Sequence, residues 1–174
     1  MKTRGFTIIE LVISSAILLM LIIAALATID VSRTSLFIGD ASVELRQEII
    51  KAFTRMEKEL KETRPAQISL TAGMSGSTLA FRVPTDKDLD GTILDSQGSI
   101  EWSDSIVYAL NEAHQLTRTA AGKTHVLANN IRSVQFNRPA ATSNLLEIDI
   151  VAEKTTPSQN VMRDSGEIML KMRN

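Results

Sequence analysis

The sequence has no cysteine in its 174 residues, which excludes disulfides, thiolate metal sites and cysteine nucleophiles. It has only one tryptophan and one tyrosine, so it offers no aromatic platform for stacking a ligand. Its 19 Lys and Arg residues nearly balance its 20 Asp and Glu residues, for a formal net charge of -1. Because phosphate binding needs clustered basic residues, no nucleic-acid partner is indicated.

Proline is absent from Phe6 to Arg64, and an uncharged apolar run occupies much of that stretch. The run extends from Leu11 to Ile29, between Glu10 and Asp30. A helix of that length can span a bilayer. The length of the chain fits one domain in addition to such a segment. We therefore expect a membrane helix followed by a more polar domain.

Three interpretations of the N-terminus compete. Lys2 and Arg4 precede the apolar run, and positive charge there holds this end in the cytoplasm. A secretory signal peptide would be cleaved near Ala25-Leu26-Ala27, but its apolar core spans only about 7–15 residues. An uncleaved signal anchor explains the length of the run but gives no reason for Glu10. A charged residue beside a membrane span usually has a partner.

The third interpretation uses every residue of the N-terminus. Residues 1–12, Met-Lys-Thr-Arg-Gly-Phe-Thr-Ile-Ile-Glu-Leu-Val, resemble the leader and N-methylation signal of type IV pilins and type II secretion pseudopilins. The resemblance implies that prepilin peptidase cuts between Gly5 and Phe6 and that Phe6 is then N-methylated. It also implies that Glu10 is the assembly glutamate of that family.

The chemistry of Glu10 gives this resemblance a physical reason. Cleavage creates a positive amine on Phe6, and neither that amine nor Glu10 is stable in apolar packing unless it is paired. In the family, the glutamate of one subunit is thought to neutralise the N-terminus of its neighbour. The alternative is that Glu10 only extends to the lipid headgroups.

A second apolar pattern follows the membrane run. Leu45, Ile49, Phe53, Met56 and Leu60 are spaced by three or four residues, which predicts a helix with one apolar face. The next proline, at position 65, should end it. The simplest prediction is one helix over residues 6–63, with Gly39 as a candidate bend at the junction.

Beyond position 65 the pattern changes to short alternating segments. Strands are predicted at 78–83, 105–110, 115–119, 131–136, 146–153 and 167–173, with a hairpin turn at 111–114 and an exposed loop at 153–165. We expect an α+β fold in which the long helix packs on an antiparallel sheet. Residues 105–110, 116–119 and 127–136 also resemble J-type minor pseudopilins and W-type minor pilins.

An acidic loop is the one candidate metal site in the sequence. Aspartates alternate at positions 86, 88 and 90, and alternation lets three carboxylates converge on one ion, while Gly91 permits the tight turn. The candidate calcium ligands are Asp86, Asp88, Asp90, Thr92 through its carbonyl, and Gln97. An EF-hand has glutamate in the position of Gln97. The alternative is a solvated acidic turn between strands.

These patterns together predict a structural subunit and no enzyme. The expected parts are a leader at 1–5, a membrane and filament-core helix at 6–30, an amphipathic helix at 31–64 and a β-rich domain at 65–174. The resemblance implies an inner-membrane protein with a cytoplasmic N-terminus and a periplasmic or extracellular domain. Its partners would be prepilin peptidase and other pilins or pseudopilins. An adhesive or DNA-binding minor pilin and an exported enzyme with an uncleaved anchor are the alternatives.

Overall fold

The computed structural model describes residues 7–140, 144–157 and 159–173 of the chain. Two compact units, Met1–Asp40 and Ala41–Asn174, divide it. Helix α1 (Ile8–Leu60) supplies the described structure of the first unit and continues into the second. The helix runs through Gly39 without interruption. The boundary between the two units falls between Asp40 and Ala41.

In the second unit, one face of α1 is buried. Its fully covered residues recur every three or four positions, at Ala41, Leu45, Ile49, Ala52, Met56 and Leu60. This confirms the predicted apolar face, on which Phe53 is only partly buried but packs against the core. The helix ends at Leu60, three residues before the predicted end at Thr63. Arg64 has an extended backbone, because the α conformation is disfavoured for a residue that precedes proline.

After a short 3-10 turn (Pro65–Gln67), the chain forms eight strands. They are β1 (Ser75–Gly76), β2 (Leu79–Phe81), β3 (Ile106–Leu110), β4 (Leu116–Ala120), β5 (Lys123–Ala128), β6 (Ile131–Asn137), β7 (Leu145–Thr155) and β8 (Val161–Lys171). They pair antiparallel in two four-stranded sheets, ordered β2-β3-β4-β5 and β1-β6-β7-β8. The expected α+β arrangement is therefore confirmed, although two sheets replace the single predicted one.

One predicted loop was wrong, and a six-residue strand was missed. The segment 153–165 was predicted to be a loop, but β7 extends into it to Thr155 and β8 extends into it from Val161. The charged residues there are partly or fully exposed, and Glu153 pairs across the strands with Arg163, so their polarity does not oppose a strand. Strand β5 was not predicted at all. A tight turn with positive φ at Ala121 and Gly122 leads into it.

Specific contacts join α1 to the sheets within the second unit. Both carboxylate oxygens of Glu59 accept hydrogen bonds from Arg118 Nε on β4, at 2.9 and 3.0 Å. Tyr108 on β3 donates its hydroxyl to the same carboxylate at 2.8 Å. On the other sheet, a Cβ added to Gly166 would lie 2.8 Å from both Ile49 and Phe53. Glycine at this position therefore allows the close approach of helix and strand.

Candidate functional site

The described chain opens on a reciprocal hydrogen-bonded cap at the start of α1. Glu10 Oε2 accepts hydrogen bonds from the backbone N–H of Thr7 at 3.1 Å and from its hydroxyl at 3.0 Å. In return, Thr7 Oγ1 accepts a hydrogen bond from the backbone N–H of Glu10 at 3.3 Å. This is a capping box, in which residues three apart satisfy the free N–H groups of a helix start. Thr7 was not predicted as a site residue, although the Thr-x-x-Glu spacing signals it.

The cap uses only half of the carboxylate. Both bonds from Thr7 end on Oε2, and Oε1 of Glu10 accepts no hydrogen bond from any residue in the described ranges. A carboxylate oxygen can accept further donors, so Glu10 can hold the cap and still receive a second group. Gly5 and Phe6, the predicted cleavage and methylation residues, lie outside the described residues.

The first part of α1 presents an apolar surface. Large apolar side chains from Ile8 to Ile29 are about half exposed or more, and none of the most apolar 18-residue window is buried. By length and composition, α1 is the one helix in the described chain that could cross a membrane, with a mean hydropathy of 2.7 over that window. The hydroxyls of Ser15 and Thr28 donate to backbone carbonyls of the helix itself, both at 2.9 Å.

The aspartate loop brings its three predicted carboxylates together. One oxygen from each of Asp86, Asp88 and Asp90 lies within 4.8 Å of the others. Asp86 Oδ2 accepts the backbone N–H of Gly91 at 2.9 Å, and Asp90 Oδ1 accepts that of Thr92 at 2.8 Å. The loop therefore folds around its own carboxylates. Gly91 has φ +88°, which confirms that the turn needs a residue tolerant of the left-handed region.

The electrostatics of this loop leave negative charge uncompensated. Oδ1 of Asp86 is buried and has no hydrogen-bond partner in the described part of the chain. Desolvation raises the pKa of Asp88. The charges of Asp90, Glu101 and Asp86 raise this pKa further, whereas a hydrogen bond from the Asp90 N–H lowers it. Lys87 is the nearby cation, but its ammonium pairs with Asp104 at 3.6 Å. The arrangement suits a cation ligated by oxygen.

The remaining two predicted ligands are placed differently. Thr92 directs both its N–H and its hydroxyl to Asp90 Oδ1, at 2.8 and 2.9 Å. Gln97 lies in a separate turn, in which its N–H donates to Asp95 Oδ1 at 2.8 Å. Asp95 also accepts the N–H of Ser99, so this carboxylate holds its own turn. The structure thus groups the three aspartates, while ligation by Thr92 and Gln97 stays a prediction.

Comparison with known proteins supports the interpretation of the N-terminus. Residues 1–26 match the family described as the prokaryotic N-terminal methylation motif. No curated protein and no solved structure matches the chain.

The matched motif supports a type IV pilin-like precursor, and it points to a structural subunit rather than to an enzyme. Such a motif implies processing by prepilin peptidase and assembly with other pilins. The long apolar start of α1 is consistent with membrane anchoring. Two competing interpretations are a signal peptide cleaved near Ala27 and an uncleaved anchor. Neither gives a role to the methylation motif.

Proposed function

We propose that the chain is a minor pilin or pseudopilin that joins a type IV pilus or a type II secretion pseudopilus. The single observation that carries this proposal is the methylation motif over residues 1–26, which overlaps the first part of a helix with an exposed apolar surface. The resemblance of the middle strands to J-type minor pseudopilins and W-type minor pilins favours a minor subunit over a major one.

In this proposal, Glu10 links processing to assembly. Cleavage after Gly5 leaves a positive amine on Phe6 of each subunit. Oε1 of Glu10, which accepts no hydrogen bond from the described residues, accepts the amine of a neighbouring subunit, while Oε2 keeps the helix cap with Thr7. Both charges become buried as the apolar helices pack, and a buried charge persists only when it is paired. The β-rich domain then lies outside the inner membrane.

Mass spectrometry of the mature N-terminus tests the processing step. The full chain is expressed with and without a prepilin peptidase, and we expect N-methyl-Phe6 as the first residue only in the presence of the peptidase. A Phe6→Ala variant keeps Gly5, and it shows whether cleavage after Gly5 requires phenylalanine at the next position. An intact Met1 in the presence of peptidase, or cleavage near Ala27, would contradict the proposal.

We further propose that the aspartate loop binds calcium. Three converging carboxylates and the unpartnered Oδ1 of Asp86 support this proposal. Asp86, Asp88 and Asp90 would hold the ion. Thr92, through its carbonyl, and Gln97 are the remaining candidates for the oxygens that calcium needs to reach six or more ligands. Bound calcium would offset the mutual repulsion of the three aspartates and order the loop.

Calorimetry on the full chain in an uncharged detergent tests calcium binding. We expect binding with a dissociation constant of about 10⁻⁴–10⁻³ M, typical of extracellular calcium modules. Asp88→Asn should abolish it. Asp104→Asn is the matched control, because it removes a nearby exposed carboxylate that does not belong to the cluster. The absence of both heat and thermal shift at millimolar calcium would refute this site.

A further inference from the structure

A concave surface lies in the unit Ala41–Asn174, between the later part of α1 and the β4–β5 hairpin. This cavity of about 360 Å³ is lined by Lys51, Arg55 and Glu59 from α1, by Arg118 from β4, and by His125, Val126 and Leu127 from β5. None of the aspartates of the candidate calcium site lines it, and neither does any residue of the N-terminal motif.

The only carboxylate of this cavity is already neutralised. Glu59 accepts hydrogen bonds from Arg118 and Tyr108, so this acid and the Arg118 cation cancel each other. Of the two remaining cations, Lys51 has Glu48 as a partner, and Arg55 carries the excess positive charge. Lys51 Nζ lies 3.4 Å from Glu48, a long contact at a lysine whose side chain is 55% exposed. Arg55 forms no ion pair or hydrogen bond with any residue that the structure describes.

The cations of the cavity also stand next to each other. Lys51 and Arg55 are four residues apart, so they are neighbours on the same face of α1. Arg118 and His125 are directly paired across β4 and β5, which places their side chains on the same side of the sheet. Lys51 and Arg55 are both positively charged and repel each other. In a chain of net charge -1, this concentration of basic groups favours an anion between them.

We propose that this cavity binds an oxyanion, a carboxylate or a phosphate group. The planar guanidinium of Arg55 can donate two parallel hydrogen bonds to either group, and the ammonium of Lys51 adds a third donor. Val126 and Leu127 supply an apolar wall for the part of the molecule that carries the anion. The volume is at the lower end of small-molecule sites, about 300–1,000 Å³. The site does not depend on the proposed role in a filament.

Titration calorimetry on the full chain in an uncharged detergent tests this site, with sodium phosphate and sodium succinate as separate probes. Sodium chloride keeps the ionic strength constant. The double variant Lys51→Gln/Arg55→Gln removes the two cations that α1 contributes to the cavity. Because the loss of each cationic side chain weakens binding about ten-fold, the double variant should bind about a hundred-fold more weakly.

The matched control is Lys58→Gln/Lys61→Gln, which removes the same formal charge from the end of α1 and the turn that follows it, outside the cavity. It should bind like the wild type, and thermal unfolding without anion shows whether both variants are folded. Val126→Glu is a second variant that keeps every cation but places a carboxylate at the exposed wall. We expect this built-in anion to compete with the probe and to abolish binding.

Specific outcomes decide the proposal. Binding of either probe that is lost in the cavity variants and kept in the control supports it, and the tighter probe identifies the ligand class. No binding of either probe at about 10 mM would overturn the proposal, since such a site would be too weak to discriminate. Equal weakening in the cavity and control variants would also overturn it, because general surface charge would then explain the effect.

Discussion

Replacing Glu10 by glutamine separates the two roles of this residue. The capping box accepts either Glu or Gln three residues after the capping Thr, so the amide oxygen can keep both hydrogen bonds from Thr7. The variant loses only the negative charge. A Glu10→Ala variant would remove the cap and the charge together and could not distinguish them. We therefore expect Glu10→Gln to keep the start of α1 intact and to impair assembly.

The magnitudes of the two effects differ enough to be distinguished. Loss of an N-cap costs about 1 kcal/mol of helix stability, which corresponds to roughly five-fold in an equilibrium. Removal of one partner of a buried charge pair is far more severe. It should reduce assembly on the order of 10²–10³-fold, because the neighbouring amine would be buried without a partner. The charge should therefore dominate the result.

The assay compares three chains in cells that carry the assembly machinery. Wild type, Glu10→Gln and Thr7→Ala are expressed at matched membrane levels, and the sheared filament fraction is quantified by immunoblot. Thr7→Ala is the matched control, because it removes the cap but keeps the carboxylate. Mass spectrometry confirms that all three chains are processed equally, so that a loss of filaments reflects assembly.

We expect Glu10→Gln to be nearly absent from filaments and Thr7→Ala to be reduced only several-fold. Normal incorporation of Glu10→Gln would refute the pairing of this carboxylate with the neighbouring amine. An equally severe loss in both variants would show that the cap, rather than the charge, is what assembly requires.

Three further predictions concern the second unit. Gly166→Ala should cost about 1–3 kcal/mol in denaturant unfolding, because the new methyl would overlap the Phe53 ring, and an unchanged midpoint would contradict this packing. Burial raises the pKa of Tyr108, so the unfolded chain loses this proton first and stability should fall as the pH rises above about 10. Tyr108→Phe should cost about 1.5 kcal/mol at pH 7 and flatten that decline in pH-dependent melting, whereas an identical decline would exclude this group. A hydrogen bond and charge from Glu147 raise the pKa of Glu167, so Glu167→Gln should raise the melting temperature at pH 7, with the gain disappearing below pH 4. A gain that persists at pH 3 would rule out charge repulsion as its cause.

The sequence predicted those features whose signal is local. The apolar spacing that ends at Leu60 predicted the helix face, because burial on a helix repeats every three or four residues. Side chains alternate in character with a period of two residues on both sides of the 111–114 turn, and this alternation predicted the β3–β4 hairpin. The aspartate spacing predicted that three carboxylates would converge, since Gly91 lets the loop close on them.

The features that were missed depend on partners distant in sequence. The first residues of β5 are polar and exposed, so no apolar pattern marks them, and only their pairing with β4 makes them a strand. The 153–165 segment was predicted to be a loop because it is polar, yet ladder bonds and the Glu153–Arg163 pair hold its ends as strands. The cavity beside Arg55 combines a helix face with residues about 60–70 positions later, a proximity that no spacing in the sequence encodes.

Two hydroxyls within the apolar part of α1 bear on the proposed passage of this segment from membrane to filament. Ser15 and Thr28 each donate to a carbonyl of their own helix, so neither needs water, lipid headgroups or another subunit as an acceptor. The proposed transfer from a bilayer into a filament would therefore break neither of these two bonds. For Ser15 and Thr28 the transfer would require no replacement acceptor, and its free energy would depend mainly on how the apolar side chains pack in each environment.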